Sequence, residues 1–436
     1  MRIALMTNNY KPIIGGVPIS IERLARGLEA LGHEVTIFAP TYTERQEMEE
    51  GHSMEEGHSM EEGHSMEEGH SEENVFRYAT CMKHFIGGIV LPNPFDIRIE
   101  KEFRRKSFDI IHVHHPMLIG RTAMHLSRKF HIPLVFTYHT RYEQYARCYT
   151  KGICRLDKIM PLYLHRFLKH CNFVFAPTAG MQKYLTDICH VSQKKTGVLP
   201  TGLEQGNFNV SQETAAEVRR QYGAEHMPFL LTVSRMAGEK NVSFLLESLA
   251  RVKTLYGKPF RMLMVGDGPD REVLEERSRL LGLQENLVFT GTISNERIGA
   301  YFKAADAFLF ASKTETQGIV VLEAFAGATP VIAVKASGVE DLVDNGVNGI
   351  LTGEDAQEYA AAVAGFLEDI CSSRDMGEIR NPDRSPRYIQ MSENALQKAV
   401  LYREEAVALK AVHYYNSVIA ENAAQKKRNI RLLLEG

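Results

Sequence analysis

Residues 315–323 read ETQGIVVLE. Two carboxylates bracket one glycine and an apolar run. The stretch before them, AFLFAS (307–312), has the composition of a short buried strand, and GIVVLEAFAGA (318–328) that of a short helix. Strand, polar turn and helix make one strand–helix unit. Glu315 then lies in the loop at the carboxyl end of the strand, and Gly318 opens the helix. Glu323 falls about one and a half turns inside it. The amides of Thr316, Gln317 and Gly318 can face a phosphate or a sugar, because a helix start offers unpaired N–H groups. An acid at 323 has no packing use there, but it can accept two hydroxyls of a ribose. The plainer reading is a pair of acids near the positive end of a helix dipole.

The same alternation runs outward in both directions. RIALMT (2–7), EVTIFAP (34–40), DIIHVHH (109–115), PLVFTYH (133–139), FVFAPT (173–178) and TGVLPTG (196–202) read as strands. VPISIERLARGLEALG (17–32) has apolar residues at helical spacing and a closing Gly32. The pattern breaks near 200–206 and restarts with FLLTVS (229–234), RMLMVG (261–266), LVFTG (287–291) and PVIAV (330–334), with helices from about 241 and 270 between them. Repeated strand–helix units predict parallel sheets covered on both faces. The fold class is therefore α/β, with two doubly wound, Rossmann-like domains: 1–204 and 205–386. The helices of 387–436 are expected to return to the first domain. Ligands in such sheets bind beyond the carboxyl ends of the strands. Two facing sheets would put the active site in the cleft between them.

Composition excludes several classes. Nothing in the chain reads as a membrane-spanning run, and MRIALMTNNY (1–10) reads as a first strand and not as a signal region. The six cysteines form no CxxC pair, which fits free thiols in a reducing cytosol. The overall charge of −3 hides an asymmetry. Residues 1–204 hold 25 Lys/Arg and 23 Asp/Glu, but 12 of those acids lie in 44–73 with one arginine. Without that segment the first half is +13, whereas 205–436 is −5. A basic half points to a polyanionic surface, nucleic acid or membrane. No nucleic-acid module is recognisable, so an anionic membrane is the expected partner. Residues 48–71 are MEEGHS four times over, a low-complexity acidic loop unable to bury a core. Its histidines are candidate metal ligands, and its acids a candidate screen over the basic face. Unchanged membrane and substrate affinity after deletion of 48–71 would dismiss the screen. A repeat expanded in a tolerant loop is the plainer reading.

Three further loops sit at predicted strand ends. NNYKPIIGGVP (8–18) puts Gly15 and Gly16 before a helix, where backbone can approach an anion. It is not GxGxxG and no ribose-binding acid follows at the usual distance, which argues against a nicotinamide cofactor. SRMAGEKN (234–241) supplies Arg235 and Lys240, two cations suited to a diphosphate; alone they would read as surface charges. His139 ends a strand and would point at the ligand, or be an ordinary satisfied histidine.

SRMAGEKN, GDGP (266–269), LVFTG, ETQGIVVLEAFAGATPV (315–331) and NGVNGILT (345–352), in this order, resemble the retaining GT-B glycosyltransferases of family 4. NNYKPIIGGV, HVHHP (112–116) and the strand ending at His139 extend the resemblance over nearly the whole chain. YHTRYEQY (138–145) with TETQG (314–318) is similar to the branch that glucosylates diacylglycerol, the bacterial monoglucosyldiacylglycerol synthases. Ala328 stands where the family usually has glycine. The resemblance implies that Arg235 and Lys240 hold the nucleotide diphosphate, Glu315 the donor sugar and Glu323 the ribose. It also implies that Gly16 lies against the diphosphate, His139 near the reacting carbon, and Gly291 beside the base. The implied donor is UDP-glucose and the implied reaction a transfer with retention. No DxD-like metal motif is evident, and no cofactor is required if cations and a helix dipole neutralise the leaving group.

The acceptor side would explain the charge. KGICRLDKIMPLYLHRFLKH (151–170) interleaves Lys151, Arg155, Lys158, Arg166 and Lys169 with an apolar stripe of Ile153, Leu156, Ile159, Leu162, Tyr163, Phe167 and Leu168; Pro161 is expected to divide it into two helices. Basic amphipathic helices lie on anionic lipid, although a core-packed helix with a basic outer face has the same pattern. EKEFRRKSF (100–108) adds to the basic face, and QKKRNIRLL (425–433) offers a second contact. The expected location is cytoplasmic, peripheral on the inner face of the cell membrane. A soluble enzyme with a sugar, cell-wall or secondary-metabolite acceptor, and a non-catalytic nucleotide-sugar-binding protein, are the alternatives.

Overall fold

The computed structural model describes residues 1–13, 15–42, 74–82, 91–93, 96–142, 156–371 and 385–435. The repeat at 48–71, the stretch 143–155 and the polar segment 372–384 lie outside them. The described chain divides into two compact units: Met1–Gly202 with Glu404–Gly436, and Leu203–Arg403.

The first unit is built on a seven-stranded parallel sheet. Its strands are β1 (Arg2–Met6), β2 (Glu34–Pro40), β3 (Val75–Tyr78), β6 (Ile110–Val113), β7 (Leu134–Thr137), β8 (Phe173–Ala176) and β9 (Thr196–Val198). They lie in the order β3-β2-β1-β6-β7-β8-β9, and a small antiparallel pair, β4 (Thr80–Met82) with β5 (Leu91–Pro92), stands apart. The period of two in each strand feeds two cores. Ala4 and Met6 enter one with Ile111 and Phe136; Ile3 and Leu5 enter the other with Ile37 and Phe175. The final helix, Glu404–Glu435, closes the second of these cores through Val407, Ala408, Ala411, Tyr415 and Val418. It comes close to the helix Gly16–Ala30 because Gly27 has no side chain: a Cβ there would lie 2.8 Å from that of Ala408.

The second unit is a six-stranded parallel sheet. In chain order its strands are β10 (Phe229–Val233), β11 (Arg261–Val265), β12 (Leu287–Gly291), β13 (Ala307–Phe310), β14 (Val331–Val334) and β15 (Gly349–Thr352). The sheet order is β12-β11-β10-β13-β14-β15. The order reverses between β10 and β13, which makes their carboxyl ends the topological switch point of this sheet. Helices cover both faces, among them Val242–Tyr256, Asn295–Ala304 and Ile319–Ala326.

Several elements differ from the sequence reading. β3 and β15 are edge strands of four residues, too short to stand out from their polar surroundings. Pro161 does not divide its helix, which runs unbroken from Leu156 to His170. Phe167 and Leu168 of the apolar stripe are core residues of the first unit, as is the neighbouring Leu164, and Tyr163 packs against them, so these stripe residues face inward. Leu162 remains 53% exposed and is flanked by the exposed Arg166 and Lys169. In the 100–108 cluster the cations are largely matched by acids. Arg104 pairs with Glu100, Arg105 and Lys106 with Glu102, and Phe103 and Phe108 are buried. The helices after 386 do not act as one piece. Pro386–Val400, capped by the Ser385 hydroxyl, packs in the second unit through Tyr388, Met391, Ala395 and Ala399. Only the last helix returns to the first. The two crossings are tied where Leu203 N–H donates to Tyr402 O at 2.7 Å.

Candidate active site

In the second unit the loops that carry Arg235, Lys240 and Glu315 follow the two strands of the switch point, whereas Gly291 ends β12, two strands away from β10. β10 ends at Val233, and Ser234 N–H donates to Val265 O at 3.0 Å, at the neighbouring strand's end. The chain then passes Arg235, which is exposed and carries no ion pair among the described residues. It tightens into a 3-10 turn, Gly238–Lys240, that presents the lysine. β13 ends at Phe310, whose N–H donates to the buried Tyr359 hydroxyl at 3.2 Å, while that hydroxyl donates to Ile332 O at 2.7 Å. One side chain therefore ties the end of β13, just before the ETQG turn, to the middle of β14. The two loops meet in an ion pair, Lys240 Nζ to Glu315 Oε1, at 2.6 Å. With 25% and 17% of their side chains exposed, both groups remain open to a ligand.

The rest of the turn is held from behind. Gln317 is buried, Thr316 is half-buried, and Gly318 caps the helix Ile319–Ala326 in the left-handed region (φ 77°). Glu323 is half-buried on that helix. Gly338, at φ 83°, lies against the same turn: a Cβ there would sit 2.7 Å from Glu315 O. Gly338→Ala is expected to cost about 1–2 kcal/mol from the left-handed backbone alone. The clash would add to this and displace the turn, lowering both the melting temperature and turnover; an unshifted melt would show that the loops yield freely. Gly291 ends β12, and its carbonyl accepts from Gly266 N–H at 2.9 Å.

In the first unit the carboxyl ends of β1, β6 and β7 are adjacent. Gly16 is the first residue of the helix Gly16–Ala30. Asn8 joins the loops after β1 and β6: its side chain accepts from Ile119 N–H at 3.2 Å and donates to Met117 O at 3.1 Å. Its N–H donates to His115 Nδ1 at 3.2 Å. His139 follows β7 and pairs with His114, Nε2 to Nδ1, at 2.9 Å. Burial holds these imidazoles neutral near pH 7. It pulls His139 and His112 down to about 3 and His115 to about 4, and His114 falls well below its ordinary 6.5. The sequence reading singled out His139 and missed His114. The alternation in HVHHP carried the signal, since residues two apart on a strand share a face.

Among the described residues, no three His, Cys, Asp or Glu side chains gather as a metal site, and no helix is long and apolar enough to cross a membrane. In the second unit, then, cations and acids sit in loops at the reversal of strand order. That arrangement suits an anionic ligand carrying hydroxyls.

Comparison with known proteins agrees with this layout. Residues 14–205 match the family described as Glycosyltransferase Family 4, and residues 215–380 match Glycosyl transferases group 1. The chain belongs to these glycosyltransferases and has their GT-B fold. Among its relatives are two alpha-monoglucosyldiacylglycerol synthases. The Streptococcus pneumoniae protein is 30% identical over 87% of this chain and 80% of its own length. The Acholeplasma laidlawii protein is 27% identical over 80% of this chain and 84% of its own. The fold is shared with sucrose-phosphate synthase from Thermosynechococcus elongatus (TM-score 0.72, 20% identity, 96% of this chain and 99% of that one). Anabaena HepE in complex with UDP has it too (TM-score 0.70, 18% identity, 96% and 100%).

Proposed function

We propose that this glycosyltransferase moves glucose from UDP-glucose onto diacylglycerol at a membrane surface, with retention, to make an α-glycolipid. The observation that carries the reading is the Lys240–Glu315 pair at the switch point, with the exposed Arg235 in the same loop as Lys240. The two synthases that share most of the chain supply the acceptor class. Arg235 and Lys240 neutralise the diphosphate, Glu315 accepts hydrogen bonds from sugar hydroxyls, and Glu323 accepts them from the ribose. The Thr316–Gly318 backbone faces the phosphate side, Gly16 lies against the diphosphate, Gly291 borders the base, and His139 borders the sugar. The acceptor oxygen attacks the anomeric carbon on the face from which the diphosphate departs. The C–O bond to the diphosphate breaks with its electron pair, and the hydroxyl proton passes to the leaving oxygen. The developing charge falls on groups already in place, so neither a metal nor a cofactor is required. The two-carboxylate scheme of glycosidases does not apply, because both acids bind hydroxyls. The enzyme works as a peripheral protein on the inner face of the cell membrane. Basic residues supply roughly 1 kcal/mol each near anionic lipid.

The test is transfer of label from UDP-glucose into anionic liposomes with and without diacylglycerol. Label should enter lipid only when diacylglycerol is present, chelation should leave the rate unchanged, and Glu315→Ala should abolish transfer. UDP release into water without lipid labelling would reject the lipid acceptor. That outcome would favour a second reading, a soluble acceptor, which the inward packing of Leu164, Phe167 and Leu168 supports.

A further inference from the structure

Three imidazoles lie in a row at the carboxyl ends of β6 and β7: His112 within β6, His114 just past it and His139 just past β7. The rings of His112 and His114 stack with centroids 4.3 Å apart and planes 27° apart. His114 stacks in turn on His139, at 5.2 Å and 24°. The first ring is held at both nitrogens: His112 Nδ1 lies 2.6 Å from the Tyr415 hydroxyl and Nε2 lies 2.7 Å from that of Thr137. The middle ring is held at one. His114 Nδ1 meets His139 Nε2 at 2.9 Å, while His114 Nε2 is buried and has no partner among the described residues.

A neutral imidazole carries a single N–H, and its other nitrogen is an acceptor. A buried donor without an acceptor is the costlier of the two defects. The proton of His114 therefore belongs on Nδ1, the nitrogen that has a partner. His114 donates and His139 Nε2 accepts. Neutral His139 then carries its own proton on Nδ1 and has no lone pair left for taking a proton from substrate. The locked His112 ring on one side keeps His114 from turning away.

We propose that His114 is a positioning residue for the transfer reaction: its Nδ1–H fixes His139 as the Nδ1–H tautomer, so that His139 acts in the site as a hydrogen-bond donor and not as a base. This rests on the reading above that places His139 against the donor sugar.

Nitrogen-15 spectra of histidine-labelled full-length protein at pH 7 read the tautomer directly, with His139→Asn to assign the signals. His139 should show a protonated Nδ1 and a bare Nε2. His114→Phe keeps the stack but loses the donor. It should return His139 to the Nε2–H form that free histidine prefers, and lower kcat by up to about a hundredfold with little change in KM for the donor. His114→Asn places an amide N–H near the lost Nδ1–H and should restore both readouts. A wild-type His139 protonated at Nε2 would overturn the proposal. So would a Phe variant with parental kcat, or a folded Asn variant as poor as the Phe one. If the Phe variant does not fold, the wild-type spectrum and the Asn variant still decide. The tautomer is read without substrate, so an error in the acceptor or donor leaves that arm standing.

Discussion

Lys240→Met should lower glycosyl transfer by about two to three orders of magnitude, the usual cost of removing one group that stabilises developing charge. The loss should fall on kcat, because the charge on the departing diphosphate is larger in the transition state than in the bound donor. Stability should hardly change. The Lys240–Glu315 pair keeps part of both side chains in water, and pairs of this kind contribute about 0.2–1 kcal/mol. A melting temperature close to the parent's, with turnover nearly gone, is the expected pairing. Parental kcat in the Met variant would remove the lysine from the mechanism. Glu315→Gln separates the two halves of the contact. It keeps the hydrogen-bonding shape and frees the lysine, so it should spare kcat more than the lysine change does.

That contact also marks the limit of what could be read without coordinates. Glu315 and Lys240 were both legible as candidate site residues, each from its own loop at a strand end. Their direct pairing was not, because it depends on β10 and β13 being neighbours although 75 residues separate the two side chains. His139 and His114 present the same case, 25 residues apart and each just past one of two adjacent strands. Strands with long apolar runs, such as β2 and β10, were legible from composition. β3 was not, since VFRY is short and follows the acidic repeat. The split within the last two helices was hidden for another reason. Tyr402 and Arg403 carry no glycine or proline to mark a boundary, and the change of unit there is set by tertiary packing.

The first unit should be acid-labile in a window set by its histidines. Unfolded, each titrates near 6.5; folded, His112 and His139 do so at about 3, His115 at about 4 and His114 far below 6.5, the first cause in each case being burial. Above 6.5 both states are neutral and stability is complete. As pH falls below that value the unfolded chain takes up protons that the folded chain refuses, so stability declines toward the folded values. The slope is roughly 1.4 kcal/mol per pH unit for each histidine. The enclosed His112 ring alone would then cost roughly 3 kcal/mol by pH 4.5, and the enclosed His114 adds to the loss in the same direction. His139 keeps part of its surface exposed, and solvent softens its share. A domain's whole stability is about 5–15 kcal/mol, so the melting transition should fall steeply between pH 6.5 and 4.5. Asp96 and Glu102, held below their ordinary 3.8 and 4.5 by Arg98 and Arg105, give up their contributions only under those values. A melting temperature flat from pH 7 to 5 would contradict the neutral, enclosed histidines.

The order in which a ribosome makes this chain differs from the order in which its parts can be completed. Leu203–Arg403 emerges as one continuous stretch and holds everything its own core needs. The first 202 residues emerge earlier, yet the core under β1 and β2 lacks Val407, Ala411 and Tyr415 until the last segment is synthesised. Until then the groove beside Gly27 stays open and the His112 ring lacks its tyrosine. The half made first is finished last, so a transcript cut short at residue 403 would still encode the whole second unit and an unfinished first one.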